Sequence, residues 1–293
     1  MVITHLIGGL GNQMFQYAAG RALSLELKTE LMLDISDFNE YRLHHGFELH
    51  RIFNCTAAIA QKKDLKEVLG LLRFPVARKA ISNVRLPFFH HRNMIVEPCF
   101  QYWPEINNSQ ENCYIFGYWQ TEKYFKNHAS LIRRDFNFKL PMGEVNSELA
   151  SRLSKVNAVS IHVRRGDYVE NAKTSAIHGV CSPKFYEKAI NFISQRVAQP
   201  YFFIFSDDIE WARNNIKTDF QHEYIGHNFG VESFNDMRLM SMCKHHIIAN
   251  SSFSWWAAWL GNSEKKIVVA PSNWFSKKSI NTSDLIPADW IRL

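Results

Sequence analysis

Much of what marks familiar enzyme classes is missing from this 293-residue chain. It has no Gly-x-x-x-x-Gly-Lys-Ser/Thr loop, which excludes a P-loop nucleotidase. It has no His-Glu-x-x-His and no Gly-x-Ser-x-Gly, which excludes the common zinc hydrolases and the nucleophile-elbow hydrolases. No two aspartates stand two apart, so the Asp-x-Asp anchor of many metal–diphosphate sites is lacking. The five cysteines (Cys55, Cys99, Cys113, Cys181, Cys243) are scattered with no Cys-x-x-Cys, so no zinc ribbon or thioredoxin-like centre is expected. They read as buried reduced thiols. No stretch approaches the roughly 18 uncharged apolar residues of a membrane span. Val2 runs directly into an apolar strand with no targeting segment ahead of it, and the expectation is a cytoplasmic protein, at most peripheral to a membrane.

What is present is the material of a large core: 46% apolar and 14% aromatic residues, with 21% charged. The net charge of +6 suits an acidic ligand or reflects ordinary solubility. The basic residues form no long run, so a phosphate-bearing small molecule fits better than nucleic acid; an anionic membrane surface stays open.

Val2–Ile7 reads as a strand, Met14–Leu27 as a helix with Phe15, Ala18, Ala19, Ala22 and Leu23 on one face, and Glu30–Ile35 as the next strand. This is a β-loop-α-β unit with a parallel sheet and a site at the strand's carboxyl end. From Phe38 to about Tyr124 the chain reads as irregular and rich in aromatic residues and histidine. Pro141 marks a boundary, dividing the chain into 1–140 and 141–293. A second α/β series follows, with strands at Ala158–Val163, Tyr201–Phe205, His246–Ala249 and Ile267–Ala270. Its helices fall at Ser147–Ser154, Pro183–Val197, Ser233–Cys243 and Phe253–Leu260. Two α/β halves, each with a loop at a strand end, place a ligand in the cleft between them.

Four segments carry chemistry. Gly8-Gly9-Leu10-Gly11-Asn12-Gln13 follows the first strand and can bring backbone N–H groups to an anion, although a tight turn alone also needs glycine. His162-Val163-Arg164-Arg165-Gly166-Asp167 places two guanidiniums at a strand end, matched to phosphate unless they are a solvated surface pair. The carboxylates of Asp207 and Asp208 can accept from a base or ribose, or one of them can cap the helix Ile209–Asn215. In Asn250-Ser251-Ser252-Phe253, serines and N–H groups at a helix start can cap it or bind phosphate. The tryptophans that follow read as core. The aromatic run Phe116–Thr121 suits a sugar face or the core. The pairs His44/His45, His90/His91 and His245/His246 cannot both face one metal from a strand.

Gly8–Ala18, His162–Tyr168, Phe205–Asp208 and Asn250–Leu260 together resemble glycosyltransferase family 11, which contains the α-1,2-L-fucosyltransferases. The resemblance keeps the family's segment order and extends over nearly the whole chain. It implies a GT-B-like α/β fold of two Rossmann-like domains with GDP-fucose in the C-terminal one. It implies inverting, metal-independent transfer of L-fucose from GDP-β-L-fucose to the 2-hydroxyl of a galactoside, with no resident cofactor. By motif, Arg164 would hold the β-phosphate, and His162 and Asp236 would meet the guanine or ribose. Gly11 and Asp207 are further candidates for the donor site, and by the same resemblance Ser251, Ser252 and Phe253 would supply the phosphate-binding helix start. Asn12 and Arg164 would be the catalytic pair, as in the related protein O-fucosyltransferases. The proton acceptor stays open among Asp167, Glu97 and several histidines. The alternatives are a transferase using another GDP-sugar, another nucleotide-dependent enzyme such as a kinase, and a non-catalytic carbohydrate-binding protein.

Overall fold

The structure, a computed structural model, describes residues 1–39, 45–74, 93–166, 179–277 and 279–293. Asp167, Tyr168, His44, His90 and His91 lie outside the described residues. The chain forms two compact units. Unit 1 comprises Met1–Leu140 with Thr282–Leu285, and unit 2 comprises Pro141–Asn281 with Ile286–Leu293.

Unit 1 is built on a parallel five-stranded sheet. Its strands are β1 (Val2–His5), β2 (Leu31–Asp34), β3 (Ala58–Ile59), β4 (Met94–Val96) and β5 (Cys113–Phe116), in the order β3-β2-β1-β5-β4. The stretch expected to be irregular thus holds three strands of the sheet. Two to four residues each, they are too short to show a period, and the sheet rather than local pattern makes them strands. The first helix, α1 (Leu10–Glu26), is buried on nearly every side, from Leu10 and Gln13 through Tyr17 and Gly20 to Ser24, and not on one face as its spacing suggested. Gly20 sits mid-helix because a Cβ there would lie 2.9 Å from Thr4 Cβ and 3.0 Å from a Leu31 methyl, so the helix lies almost in contact with the sheet. The short α2 (Leu49–Ile52) follows; α3 (Lys62–Leu69) is closed at its start by a reciprocal Gln61/Asp64 capping box, and α4 is Ala129–Asp135. Leu65, Val68 and Leu69 of α3 pack with Ile3, Met94 and Tyr114 of the sheet.

Unit 2 opens with α5 (Glu144–Lys155) and β6 (Asn157–Val163), followed by α6 (Pro183–Ser194), which has Ser182 as N-cap and proline at its first position. Then come β7 (Pro200–Ser206), α7 (Ile209–Asn215), β8 (His222–Ile225), α8 (Phe234–Ser241), β9 (His245–Ile247), α9 (Ser252–Leu260), β10 (Val268–Ala270) and β11 (Ile291–Arg292). All six strands are parallel, in the order β8-β7-β6-β9-β10-β11, the doubly wound 3-2-1-4-5-6 arrangement. β8 and β11 were not expected from the sequence: one is polar (His-Glu-Tyr-Ile) and the other has two residues. Val159, Ile161, Phe202 and Ile204 pack with Ile190 and Ile193 of α6, and each such fully buried side chain contributes roughly 1.5–3 kcal/mol. Trp255, Trp256 and Trp259 of α9 are core, as read. Of the thiols, Cys113 and Cys243 are buried, while Cys99 is exposed, contrary to expectation. Among the described residues no helix is long and apolar enough to cross a membrane.

Candidate active site

In each unit the chain leaves a central strand on one side of the sheet and later returns to its other side. In α/β sheets such a switch in strand order is where the loops at the carboxyl ends diverge and a ligand crevice forms. In unit 2 the divergence falls between β6 and β9, and in unit 1 between β1 and β5.

At the end of β6, the Arg164 guanidinium meets the Asp207 carboxylate at 3.0 Å, both about one-quarter exposed. Asp207 also accepts from the backbone N–H of Arg165 at 2.8 Å and of Gly166 at 3.1 Å. An acceptor serving three donors holds the whole loop after β6 and so aims Arg164. Gly166 is required at this approach, since a Cβ would lie 2.9 Å from Asp207 Oδ2. Asp208 is the N-cap of α7, accepting from Trp211 N at 3.0 Å, so the capping and site readings apply to different members of the pair. Arg165 is held differently. Its guanidinium stacks 4.0 Å from the Trp211 ring centroid and stands 3.5 Å from Asp208, which locks it to α7.

His162 is almost fully buried in β6, and its Nδ1 has no hydrogen-bond partner among the described residues. Burial, with Arg164 nearby, pushes its pKa down to about 3, so the ring is neutral. The ring lies 5.7 Å from that of Phe253, the second residue of α9. Ser251 occupies the N-cap of α9 but makes no side-chain capping bond, and Ser252 is the first helical residue. The Ser251 side chain therefore does not cap the helix in the way its position suggested. Asn250 instead fixes the approach, donating to the carbonyls of Gly179 at 3.3 Å and Trp274 at 3.1 Å. Asp236, in the first turn of α8, is buried and accepts from Asn228 Nδ2 at 2.8 Å. Asn228 in turn pairs with Asn146, which also bonds His227 at 2.7 Å. Burial pushes the Asp236 carboxyl up to about 7, the Asn228 bond pulling the other way. The structure brings Arg164 to Asp207 and His162 to Phe253, and packs α8 against α9.

In unit 1 only Gly8 and Gly9 form the turn. Leu10 begins the helix, so Gly11, Asn12 and Gln13 are its first turn and not a loop. Gln13 is fully buried, donating to the carbonyls of Gly8 at 2.9 Å and Gly46 at 2.8 Å and accepting from Glu48 N at 3.0 Å. It braces the turn. Asn12 Oδ1 accepts from Gln120 Nε2 at 2.8 Å. Of the aromatic run, Trp119 is fully buried and only Tyr118 is substantially exposed. Gln16 and Gln120 escaped sequence reasoning. Their partners Gly117 and Asn12 are about a hundred residues away in the chain, and no local spacing marks such pairs. Among the described residues no group of three or more His, Cys, Asp or Glu is gathered to hold a metal ion.

Solved structures share this fold. The chain aligns over 88% of its length, and 91% of the other's, with a NodZ α-1,6-fucosyltransferase structure soaked with GDP-fucose, at TM-score 0.52 and 15% identity. A second fucosyltransferase NodZ structure, from Bradyrhizobium, aligns at TM-score 0.50 and 16% identity over 88% and 90% of the two chains. The fold is that of a GT-B-like glycosyltransferase.

Residues 74–293 match the glycosyl transferase family 11 profile, and the chain belongs to that family. An α-1,2-colitosyltransferase of Escherichia coli is 36% identical over 100% of this chain and 99% of its own length. The O-antigen biosynthesis glycosyltransferase WbnK of Escherichia coli is 34% identical over 98% and 99%. A galactoside α-(1,2)-fucosyltransferase 2 of Sus scrofa is 27% identical over 88% of this chain and 69% of its own. The protein is a glycosyltransferase.

Proposed function

We propose that this glycosyltransferase moves L-fucose from GDP-β-L-fucose to the 2-hydroxyl of a terminal galactoside, with inversion at the anomeric carbon. The observation that carries the reading is Arg164, fixed by Asp207 at the carboxyl end of β6 and next to the switch in strand order. A permanently charged fork at that place suits a diphosphate. The names of the α-1,2-transferring relatives support the linkage, and the GDP-fucose in the NodZ crystal supports the donor class. In this reading unit 2 holds the donor and unit 1 the acceptor. His162, Asp236, Gly11, Asp207, Ser251, Ser252 and Phe253 belong to donor binding, and Asn12 and Arg164 to catalysis.

The acceptor oxygen forms a bond to the anomeric carbon as the bond to the β-phosphate oxygen breaks. GDP leaves with that electron pair, and the hydroxyl proton passes to a base. Arg164 stabilises the charge that builds on the leaving phosphate, and the N-terminus of α9, with its serines, adds N–H donors of the same sign.

A second donor is favoured by one specific finding, the full-length colitosyltransferase relative. Colitose is fucose without the 3-hydroxyl, and a pocket that bonds that hydroxyl rejects the deoxy sugar steeply. The decisive experiment is a donor panel of GDP-fucose, GDP-colitose, GDP-mannose and UDP-galactose against a galactoside acceptor, with and without EDTA. Transfer from GDP-fucose that survives EDTA is expected. Exclusive use of GDP-colitose would reassign the donor, and complete loss in EDTA would overturn the metal-free mechanism.

Asp236 supplies a pH test. An ionised carboxylate accepts from the N–H edge of guanine, whereas a protonated one cannot accept with both oxygens. Because burial raises this group to about 7, GDP affinity is expected to fall as pH drops through that value, by about tenfold per unit at the steepest. Asp236→Asn should weaken GDP binding at pH 8 and flatten the profile. Calorimetry between pH 5.5 and 8.5 checks both, and an unchanged profile in the variant removes Asp236 from the site.

A further inference from the structure

At the carboxyl ends of β4 and β5 one carboxylate is tied to two successive backbone amides. Tyr118 N donates to Glu97 Oε2 at 2.7 Å and Trp119 N to Glu97 Oε1 at 3.0 Å. Such charge-assisted bonds are roughly twice as strong as neutral ones. The turn they hold is otherwise unfavourable. Trp119 sits at φ 56°, uncommon for any bulky residue, and its buried Nε1 has no hydrogen-bond partner among the described residues. Gly117 accommodates the carboxylate, since a Cβ there would overlap Glu97 Cβ and lie 2.7 Å from Oε2. Gln16 ties the same turn to the end of β1, donating to Gly117 O at 3.2 Å while accepting from Ile7 N at 3.0 Å.

Directly after this turn comes Gln120, whose Nε2 donates to Asn12 Oδ1 at 2.8 Å. With its oxygen turned to Gln120, the Asn12 amide carries Nδ2 over Gly8, so close that a Cβ on Gly8 would lie 2.7 Å from it. The contact turns the oxygen end of the Asn12 amide toward Gln120 and its NH₂ toward Gly8. A donor NH₂ and an acceptor oxygen act oppositely on a sugar hydroxyl or phosphate oxygen.

We infer that Glu97 and Gln120 are positioning residues for Asn12: Glu97 fixes the 117–119 turn, the turn delivers Gln120, and Gln120 sets the orientation of the Asn12 amide. The inference rests on the reading of Asn12 as a catalytic residue. It also gives Glu97 a role other than proton acceptor, because both of its oxygens serve the turn. Burial pushes its carboxyl up to about 7, against the pull of the two amide bonds. The groups facing it are the phenols of Tyr118 and Tyr124, both raised by burial and so neutral. As pH falls through about 7 Glu97 takes up a proton, one oxygen stops accepting, and the turn loosens.

The test uses the full-length enzyme with the best donor–acceptor pair, measuring kcat, both KM values, GDP affinity and thermal unfolding. Gln120→Ala should lower kcat on the order of 10- to 100-fold while GDP affinity and acceptor KM stay within about twofold. Glu97→Gln should lower kcat on the order of tenfold and flatten the fall of kcat near pH 7 at saturating donor, while the Asp236-dependent loss of GDP affinity stays in place. The double variant Asn12→Ala/Gln120→Ala should be no slower than Asn12→Ala alone, because Gln120 acts only through Asn12. Additive losses would overturn the relay. So would wild-type kcat in Gln120→Ala and Glu97→Gln while Asn12→Ala is inactive, and that result leaves the role of Asn12 standing. Wild-type kcat in Asn12→Ala would instead remove the reading beneath the relay. Should Glu97→Gln fail to fold, Glu97→Asp takes its place with the same readouts, and Gln120→Ala with the double variant tests the Gln120 step by itself, since among the described residues the Gln120 side chain bonds only Asn12.

Discussion

Arg164→Ala is expected to lower kcat on the order of 10³-fold while the protein stays folded. The reason lies in when the charge appears. In the bound donor the diphosphate charge is spread over both phosphates. As the sugar–oxygen bond breaks, a full additional charge collects on the β-phosphate, and a fixed guanidinium stabilises that state more than the ground state. The loss should therefore fall more heavily on kcat than on GDP affinity. Arg164→Lys keeps the charge but loses the planar fork, and it should recover only part of the rate.

The variant is a clean one because of its partner. Asp207 keeps the amides of Arg165 and Gly166 when Arg164 is gone, so no buried acceptor is orphaned. The ion pair itself is about one-quarter exposed on each side, and such pairs contribute only about 0–1 kcal/mol to stability. Single-turnover transfer, GDP calorimetry and thermal unfolding on Arg164→Ala and Arg164→Lys separate these effects. A kcat within about tenfold of wild type in Arg164→Ala would remove it from the reaction centre.

The contrast between Arg164 and Arg165 shows where the sequence is legible and where it stops. Both arginines stand at the end of a buried strand, and both look like phosphate ligands. Their partners are Asp207, Asp208 and Trp211, more than forty residues further on and brought alongside only by the pairing of β6 with β7. The same holds in unit 1. The amides of Asn12 and Gln13 are adjacent in sequence, yet one turns to the carboxyl end of β5 and the other into the interior. Helical phase, set by where α1 begins, separates their roles. Because the glycines of Gly8–Gln13 look like one loop, that start at Leu10 is invisible until the turn is seen.

The long strands β6 and β7, and the helices that cover them, were readable because they carry continuous apolar runs bounded by polar turns. β3, β4 and β11 were not, since two or three residues hold no periodicity and gain their identity from neighbours already in the sheet. The order of strands follows from neither propensity nor pattern. That order creates the crevices, and so the place of the site was predictable only as "a strand end".

Gly8→Ala is expected to damage both stability and rate, through two separate physical causes. Gly8 has φ 87°, which an L-residue with a Cβ adopts only under strain, at a cost of about 1–3 kcal/mol. The new methyl would also lie 2.7 Å from Asn12 Nδ2 and 3.2 Å from Asn12 Cβ. The amide can swing away, but the Cβ belongs to the first turn of α1 and moves only with the helix. Asn12 must then leave Gln120, and a displacement on the scale of 1 Å at a reacting group costs on the order of 10²-fold in rate. The two losses can be separated. An alanine that merely strained the turn would lower the unfolding temperature and leave kcat of the folded fraction near wild type. One that displaces Asn12 should bring kcat close to that of Asn12→Ala, and adding Asn12→Ala should then cost little more. Kinetics well below the unfolding transition, with the folded fraction measured by circular dichroism, make that comparison. Undiminished kcat in Gly8→Ala would mean that the Asn12 amide tolerates displacement, and its fixed orientation could not then matter to the reaction.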